Sequence, residues 1–230
     1  MEPIRVNRAA LSRLIWSDIL ALTNSIDREV ISEPCQYLEI NRRNADYNTG
    51  SINFTNAWCL YSLVYYFKPR VIAEVGTFIG KSTMAMSEAM QHALVHDPVI
   101  YTCDSSNDIK LDMKIDVRLE QFPKMTSTDM FTEMVDKQVK ADLVFVDGRL
   151  SAEDIELLGQ VMHESSVLVF DDFEGVEKGV INVLNLSNLF ANGYTLIYPP
   201  DMALLLDACL MQPSNLAIIA PFSSLRFVSQ

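Results

Sequence analysis

The chain has 230 residues, 49% hydrophobic and 21% charged, with 30 acidic side chains against 18 basic ones. That apolar fraction supports a real core and excludes both a disordered chain and a disulfide-stapled miniature, while the length suits one α/β domain with an extension. The net charge of -12, with no basic run, argues against a nucleic-acid partner bound by phosphate neutralisation. In chain order, Leu11, Leu14, Ile15, Ile19, Leu22, Ile26 and Val30 recur at helical spacing, which predicts one helix or two short ones from Asn7 to Val30. Residues 32–51 read as polar and irregular. A helix is predicted from Phe54 to Phe67, ended by Pro69. Beyond it, strand candidates at Val71–Val75, Val99–Cys103, Val117–Leu119 (weak), Leu143–Val146, Val167–Phe170, Tyr194–Tyr198 and Leu216–Ala220 alternate with helical patterns. Those cover Lys81–Ala93, Thr128–Val139, Ala152–Met162, Glu177–Phe190 and Met202–Leu210. Strands such as LVFV and VLVF are apolar on both faces, so the sheet they form is covered on both sides.

The most informative segment is VIAEVGTFIGKST, residues 71–83. A phosphate-binding P-loop needs four residues between its first glycine and the Gly-Lys pair, and only Thr77, Phe78 and Ile79 intervene here. A dinucleotide fingerprint needs a second glycine where Phe78 stands, so that backbone can approach a pyrophosphate. What remains is acidic-x-Gly-x-x-x-Gly, which resembles motif I of the class I S-adenosylmethionine-dependent methyltransferases. The resemblance runs from about Asn48 to Ala220. It implies an α/β, Rossmann-like, doubly wound seven-stranded sheet, mostly parallel with one antiparallel strand, with helices on both faces and an amino-terminal helical extension. Residues 1–47 would be that extension or lid, and residues 48–230 the S-adenosylmethionine-binding domain.

The resemblance also implies cofactor contacts from Gly76, Thr77, Phe78, Gly80 and Ser82, with Glu74 ordering the loop and the amine of the cofactor's tail. Asp104, at the end of the second strand, is placed to accept from ribose hydroxyls; a turn-capping role is the alternative. Ser127, in the Thr126-Ser127-Thr128-Asp129 string, falls where relatives contact adenine, although such a string is also an ordinary helix N-cap. Ser51, in NTGSIN (residues 48–53), matches a polar loop that closes over the methionine end of the cofactor, or else Ser51 or Asn53 caps a helix.

ADLVFVDGR and SVLVFDDFEG end two further strands in Asp147 and in Asp171-Asp172. Ligands bind beyond the carboxyl ends of such strands, at the point where strand order reverses. Three converging carboxylates invite a hard divalent cation, most simply Mg²⁺. The pattern is similar to the catechol and caffeoyl-coenzyme A O-methyltransferases, which implies Asp147, Asp171 and Asp172 as metal ligands, with Asp172 in place of an Asn. Capping of the following helix by Asp171-Asp172, without metal, is the competing reading. Leu150 stands where those enzymes carry a Lys and where other relatives carry a His, so the usual general base is missing from its place; Lys178, Glu174 and Arg149 are nearby candidates. Asp147 and Lys178 are the expected catalytic pair.

Cys35, Cys59, Cys103 and Cys209 form no CxxC pair, which fits thiols in a reducing compartment. Arg5, Arg8, Arg13 and Asp18 interrupt the amino-terminal apolar stretches, so no signal peptide, membrane span or membrane partner is expected and the location reads as cytoplasmic. His92 and His96, four apart near a helix end, read as solvent-facing. Trp16, Trp58, Tyr61, Tyr65 and Tyr66 could roof a substrate pocket, form a homodimer face through the amino-terminal helices, or simply pack. The function expected is methyl transfer from S-adenosylmethionine to an oxygen, or a nitrogen, of a small-molecule acceptor. A nucleoside-binding protein without catalysis and a nucleotide enzyme using GKST are the alternatives.

Overall fold

The computed structural model describes residues 7–41, 51–105 and 115–225. Seven strands, β1 (Val71–Val75), β2 (Val99–Asp104), β3 (Arg118–Pro123), β4 (Ala141–Val146), β5 (Met162–Phe170), β6 (Tyr194–Ile197) and β7 (Ala217–Pro221), form one sheet in the order β3-β2-β1-β4-β5-β7-β6. Neighbours among β1 to β5 pair in parallel, and β7 lies antiparallel between β5 and β6. Strand order reverses between β1 and β4, which opens the crevice at their carboxyl ends.

The period-2 alternation of side chains divides the core into two apolar clusters. On one face Ile72, Ile100, Leu143, Phe145 and Val169 meet the helices α1 (Arg8–Ala21), α2 (Glu29–Asn41), α3 (Phe54–Phe67), α4 (Lys81–His92) and α8 (Met202–Asp207). On the other, Ala73, Val75, Val144, Val146, Leu168 and Phe170 meet α5 (Ser127–Asp136), α6 (Ala152–Val161) and α7 (Ile181–Asn185). Asp142 staples the opposite, amino-terminal edge: its Oδ2 accepts from the backbone N–H groups of Arg70 and Val71, each at 2.8 Å, while its Oδ1 lies 2.9 Å from His163 Nε2.

The expectation that residues 32–51 are irregular is corrected over their first part. Ile31, Cys35 and Leu38 fall on one buried stripe and build α2, with Pro34 inside it. Polar residues and a proline hid a helix whose stability comes from packing rather than propensity. The continuous helix expected from Glu177 to Phe190 is also corrected: the chain makes a π-turn (Val176–Val180), then α7, then a 3₁₀ turn (Ser187–Asn192). Gly179 explains the first break, because a Cβ there would stand 2.7 Å from Phe173 Cα and 2.9 Å from the carbonyl oxygens of Asp171 and Asp172. Trp16, Trp58 and Tyr61 are fully buried, with Trp16 Nε1 donating to Tyr198 O and Trp58 stacked on Tyr61 at 5.2 Å, so core packing accounts for them.

Candidate functional site

Among the described residues, three cavities are large enough to hold a small molecule. One, about 540 Å³, lies at the amino ends of the strands beside Arg70, Asp97, Asp116, Arg118 and Lys140. A second, about 370 Å³, is lined by Tyr66, Lys68, Asp142, His163 and Ser165. The third, about 360 Å³, lies at the carboxyl ends and is lined by Val75, Gly76, Phe78, Asp104, Met125, Ser127, Asp147, Arg149 and Lys178. All fall in the size range of small-molecule sites, but the third sits at the switch point and is floored by the glycine turn, which makes it the candidate site. A smaller cleft adjoins it, lined by Ser51, Thr77, Lys81 and Ser82 and sharing Gly76, Phe78 and Asp147 with it.

The turn is built by close backbone approach. Gly76 has φ +99°, and a Cβ on it would lie 2.6 Å from the carbonyl oxygen of Asp147. Gly76 and Thr77 both donate to Cys103 O, at 3.0 and 3.2 Å, and Asp147 N–H donates to Val75 O at 2.8 Å. Gly80, at φ +82°, starts α4. Between them Phe78 takes φ +44°, a left-handed conformation that strains a side-chain-bearing residue.

Glu74 is fully buried beneath this turn, accepting from Ser82 Oγ and Thr83 Oγ1, each at 2.5 Å, and from Thr102 Oγ1 at 2.6 Å. Burial pushes its carboxyl up to about 7, against the pull of those three hydroxyls and with a further push from Asp147. Its visible work is to clamp β1, β2 and α4 together under the loop. Ser82 is thereby directed at Glu74, and Thr77 Oγ1 pairs with Thr102 Oγ1, so both line the cleft while their hydroxyls serve the scaffold.

Asp104 lines the main cavity, with Oδ2 accepting from the Phe78 N–H at 2.8 Å. This contact couples the second-strand acid to the strained residue of the turn. Ser127 also lines the cavity, while its hydroxyl donates to Asp154 at 2.9 Å. The cap of α5 is Thr126, in a reciprocal capping box with Asp129. Ser51 borders the small cleft, and Asn53 rather than Ser51 caps α3. Residues 48–50 of the same loop lie outside the described residues.

The acids at β4 and β5 do not converge as expected. Lys178 Nζ stands between Asp172 Oδ2, at 2.7 Å, and Asp147 Oδ1, at 3.3 Å. Asp171 is buried, with Oδ1 accepting from Asn56 Nδ2 at 2.9 Å. Among the described residues no group of three His, Cys, Asp or Glu side chains is disposed to hold a metal ion. The donor set therefore does not fit Mg²⁺: an ammonium occupies the place between two of the carboxylates, and one oxygen of the third accepts from an amide.

Burial raises the Asp147 carboxyl, Lys178 offsets part of that, and Asp172 adds to it. Burial by itself would lower Lys178, but Asp172 and Asp147 outweigh it and raise its pKa. Asp171 is pushed up to about 7 by burial and then by the charge of Asp147. Asn56 and Asn215, which link Asp171, Asp172 and Glu174, are not marked by any motif in the sequence. The one signal for Asn56 is a lone carboxamide in the largely apolar helix FTNAWCLYSLVYYF. Lys81, the lysine of the phosphate-loop alternative, pairs instead with Glu39 at 2.5 Å and bonds Ile52 O. It ties α2 to the loop edge.

Residues 73–173 match the family described as a methyltransferase domain. The match covers a little under half of the chain. No curated protein matches the chain by sequence. Among solved structures, an O-methyltransferase from Bacillus cereus in complex with S-adenosylhomocysteine is similar with a TM-score of 0.58 and 15% identity, over 89% of this chain and 97% of that one. An O-methyltransferase of tomaymycin synthesis from Streptomyces achromogenes, in complex with S-adenosylmethionine, gives 0.56 and 17%, over 91% and 98%. A methyltransferase from Podospora anserina bound to S-adenosylhomocysteine gives 0.56 and 15%, over 96% and 98%. At these identities the likeness shows the fold. The matched segment spans Glu74, the glycine turn, Asp104, Ser127, Asp147 and the Asp171-Asp172 pair. Lys178 and the Asn56 and Asn215 amides lie outside it. Among the described residues no helix is long and apolar enough to cross a membrane.

Proposed function

We propose that this protein transfers the methyl group of S-adenosylmethionine to an oxygen of a small-molecule acceptor. The observation that carries the reading is the carboxyl-edge cavity, where the Gly76 turn is flanked by Asp104 on β2 and by Asp147 with Lys178 on β4 and the π-turn. The adenosyl ligands in the Bacillus, Streptomyces and Podospora structures support the same cofactor here.

The cofactor supplies an electrophilic methyl on a sulfonium. Asp104 receives the ribose hydroxyls, the backbone of the Gly76–Gly80 turn and the cleft around Ser51 and Ser82 enclose the amino-acid tail, and Ser127 borders the adenine. Asp147 faces both spaces, so its carboxylate lies where an acceptor meets the methyl. Asp147 would accept the proton of an acceptor O–H, while S-adenosylmethionine, when bound, would supply the methyl and leave with the S–C electron pair on sulfur. Burial has raised the Asp147 pKa, which makes it the better proton acceptor. Lys178 holds that carboxylate in place. Magnesium is left out of this reading because the carboxylates do not present a ligand set. The scattered cysteines support a reducing, cytoplasmic setting.

Calorimetric titration with S-adenosylmethionine, S-adenosylhomocysteine, NAD and ATP tests the proposal. The adenosyl ligands should bind with micromolar affinity and Asp104→Ala should weaken them. Binding of ATP or NAD with no response to either adenosyl ligand would end it.

A further inference from the structure

The arrangement around Lys178 carries one step more, and it rests on the methyl-transfer reading only for its catalytic consequence. We infer that the Lys178 ammonium stands in for a divalent cation between Asp147 and Asp172, so that this crevice holds a tethered cation and no metal.

The placement is built rather than incidental. Lys178 sits on the π-turn Val176–Val180, a geometry that is rare in proteins and frequent at functional sites. The turn closes against the β5 loop because Gly179 leaves no room for a side chain beside Phe173 Cα and the Asp171 and Asp172 carbonyls. Asp172 is held at φ +53° in that loop, with Gly175 N–H donating to its carbonyl at 2.8 Å. Its carboxylate receives Lys178 on one oxygen at 2.7 Å and Asn215 on the other at 3.4 Å. Asp147 receives the same ammonium at 3.3 Å. A Mg²⁺ ion would need oxygens at about 2.0–2.1 Å, in the space the ammonium holds, and would meet a like charge there. Asp171, the third carboxylate, accepts from Asn56 on Oδ1. Lys178 is thus a positioning residue: it fixes the Asp147 carboxylate at the cavity wall.

The test is Mn²⁺ titration of the full chain, followed by the electron paramagnetic resonance signal of free Mn²⁺. Wild type should show no saturable site at millimolar Mn²⁺. Lys178→Ala should uncover one equivalent of binding, with Kd on the order of 10⁻⁴–10⁻³ M, the range of weak carboxylate sites, and adding Asp147→Asn should abolish it. Lys178→Ser replaces the alanine variant if that one does not melt cooperatively. One-equivalent binding in wild type that Asp147→Asn removes, or no gain of binding in either Lys178 variant, would overturn the assignment. Adenosyl-ligand titration reads the methyl-transfer proposal separately: a protein that binds no adenosyl ligand but shows this Mn²⁺ pattern loses that function and keeps the lysine's role.

Discussion

Replacing Gly76 with alanine separates two costs that the structure lays side by side. At φ +99° an alanine loses its backbone preference, which costs about 1–2 kcal/mol. Its Cβ would also lie 2.6 Å from the Asp147 carbonyl oxygen, and forcing that backbone aside adds about 1–3 kcal/mol, as for other overpacked sites. Gly193 is the control, because it has φ +83° but nothing within 4 Å of an added Cβ. Gly193→Ala therefore carries the conformational cost alone. For a chain of this size each kcal/mol lowers Tm by roughly 2–4 °C, so Gly193→Ala should fall by about 2–8 °C and Gly76→Ala by about 4–20 °C. Differential scanning calorimetry of both variants in one buffer measures the difference. Because the displaced backbone carries Asp147, Gly76→Ala should also weaken S-adenosylhomocysteine binding while Gly193→Ala leaves it intact. Equal Tm losses, with equal ligand affinity, would refute the close-approach argument.

Glu74 makes stability depend on pH in a defined direction. Its carboxyl rises from the ordinary 4.5 to about 7 in the fold, so the folded state binds that proton more tightly. The resulting stabilisation, on the order of 3 kcal/mol, is complete below about 4.5 and is lost as pH rises through 7. The ligand-free protein should melt lower at pH 8 than at pH 5, and Glu74→Gln should flatten that slope; a slope unchanged in the variant would contradict the assignment. Asp104→Ala removes the acceptor of the Phe78 N–H as well as the proposed ribose partner, and a charged hydrogen bond contributes about 1.5–3 kcal/mol. Calorimetry should show adenosyl-ligand affinity falling roughly 10- to 100-fold, and wild-type affinity would remove Asp104 from the site. Asn56→Ala strips the buried Asp171 of its amide donor and should cost about 1–3 kcal/mol, read as a lower midpoint in urea; an unchanged midpoint would mean that water replaces the amide at no cost.

Features written in adjacent residues are legible in the sequence alone. The glycine spacing from Gly76 to Gly80, the acids closing β2, β4 and β5, and the doubly apolar strands follow from backbone sterics and burial period, and they define the fold class and the cofactor crevice. Helix α2 is hidden because its buried stripe of Ile31, Cys35 and Leu38 is surrounded by polar residues and Pro34, and it forms by packing on a surface the local sequence does not contain.

The same distinction governs the acids. Their positions at strand ends follow from the strand pattern, but which of them would share a cation depends on side chains brought in from elsewhere. Asn56 arrives from α3 to take Asp171, and Lys178 arrives on a turn whose path Gly179 decides, to stand between Asp147 and Asp172. Chemistry along the chain determined where negative charge would gather in this protein. Only the tertiary structure decided what neutralises it, because a carboxylate's partner is whichever donor the fold carries within reach.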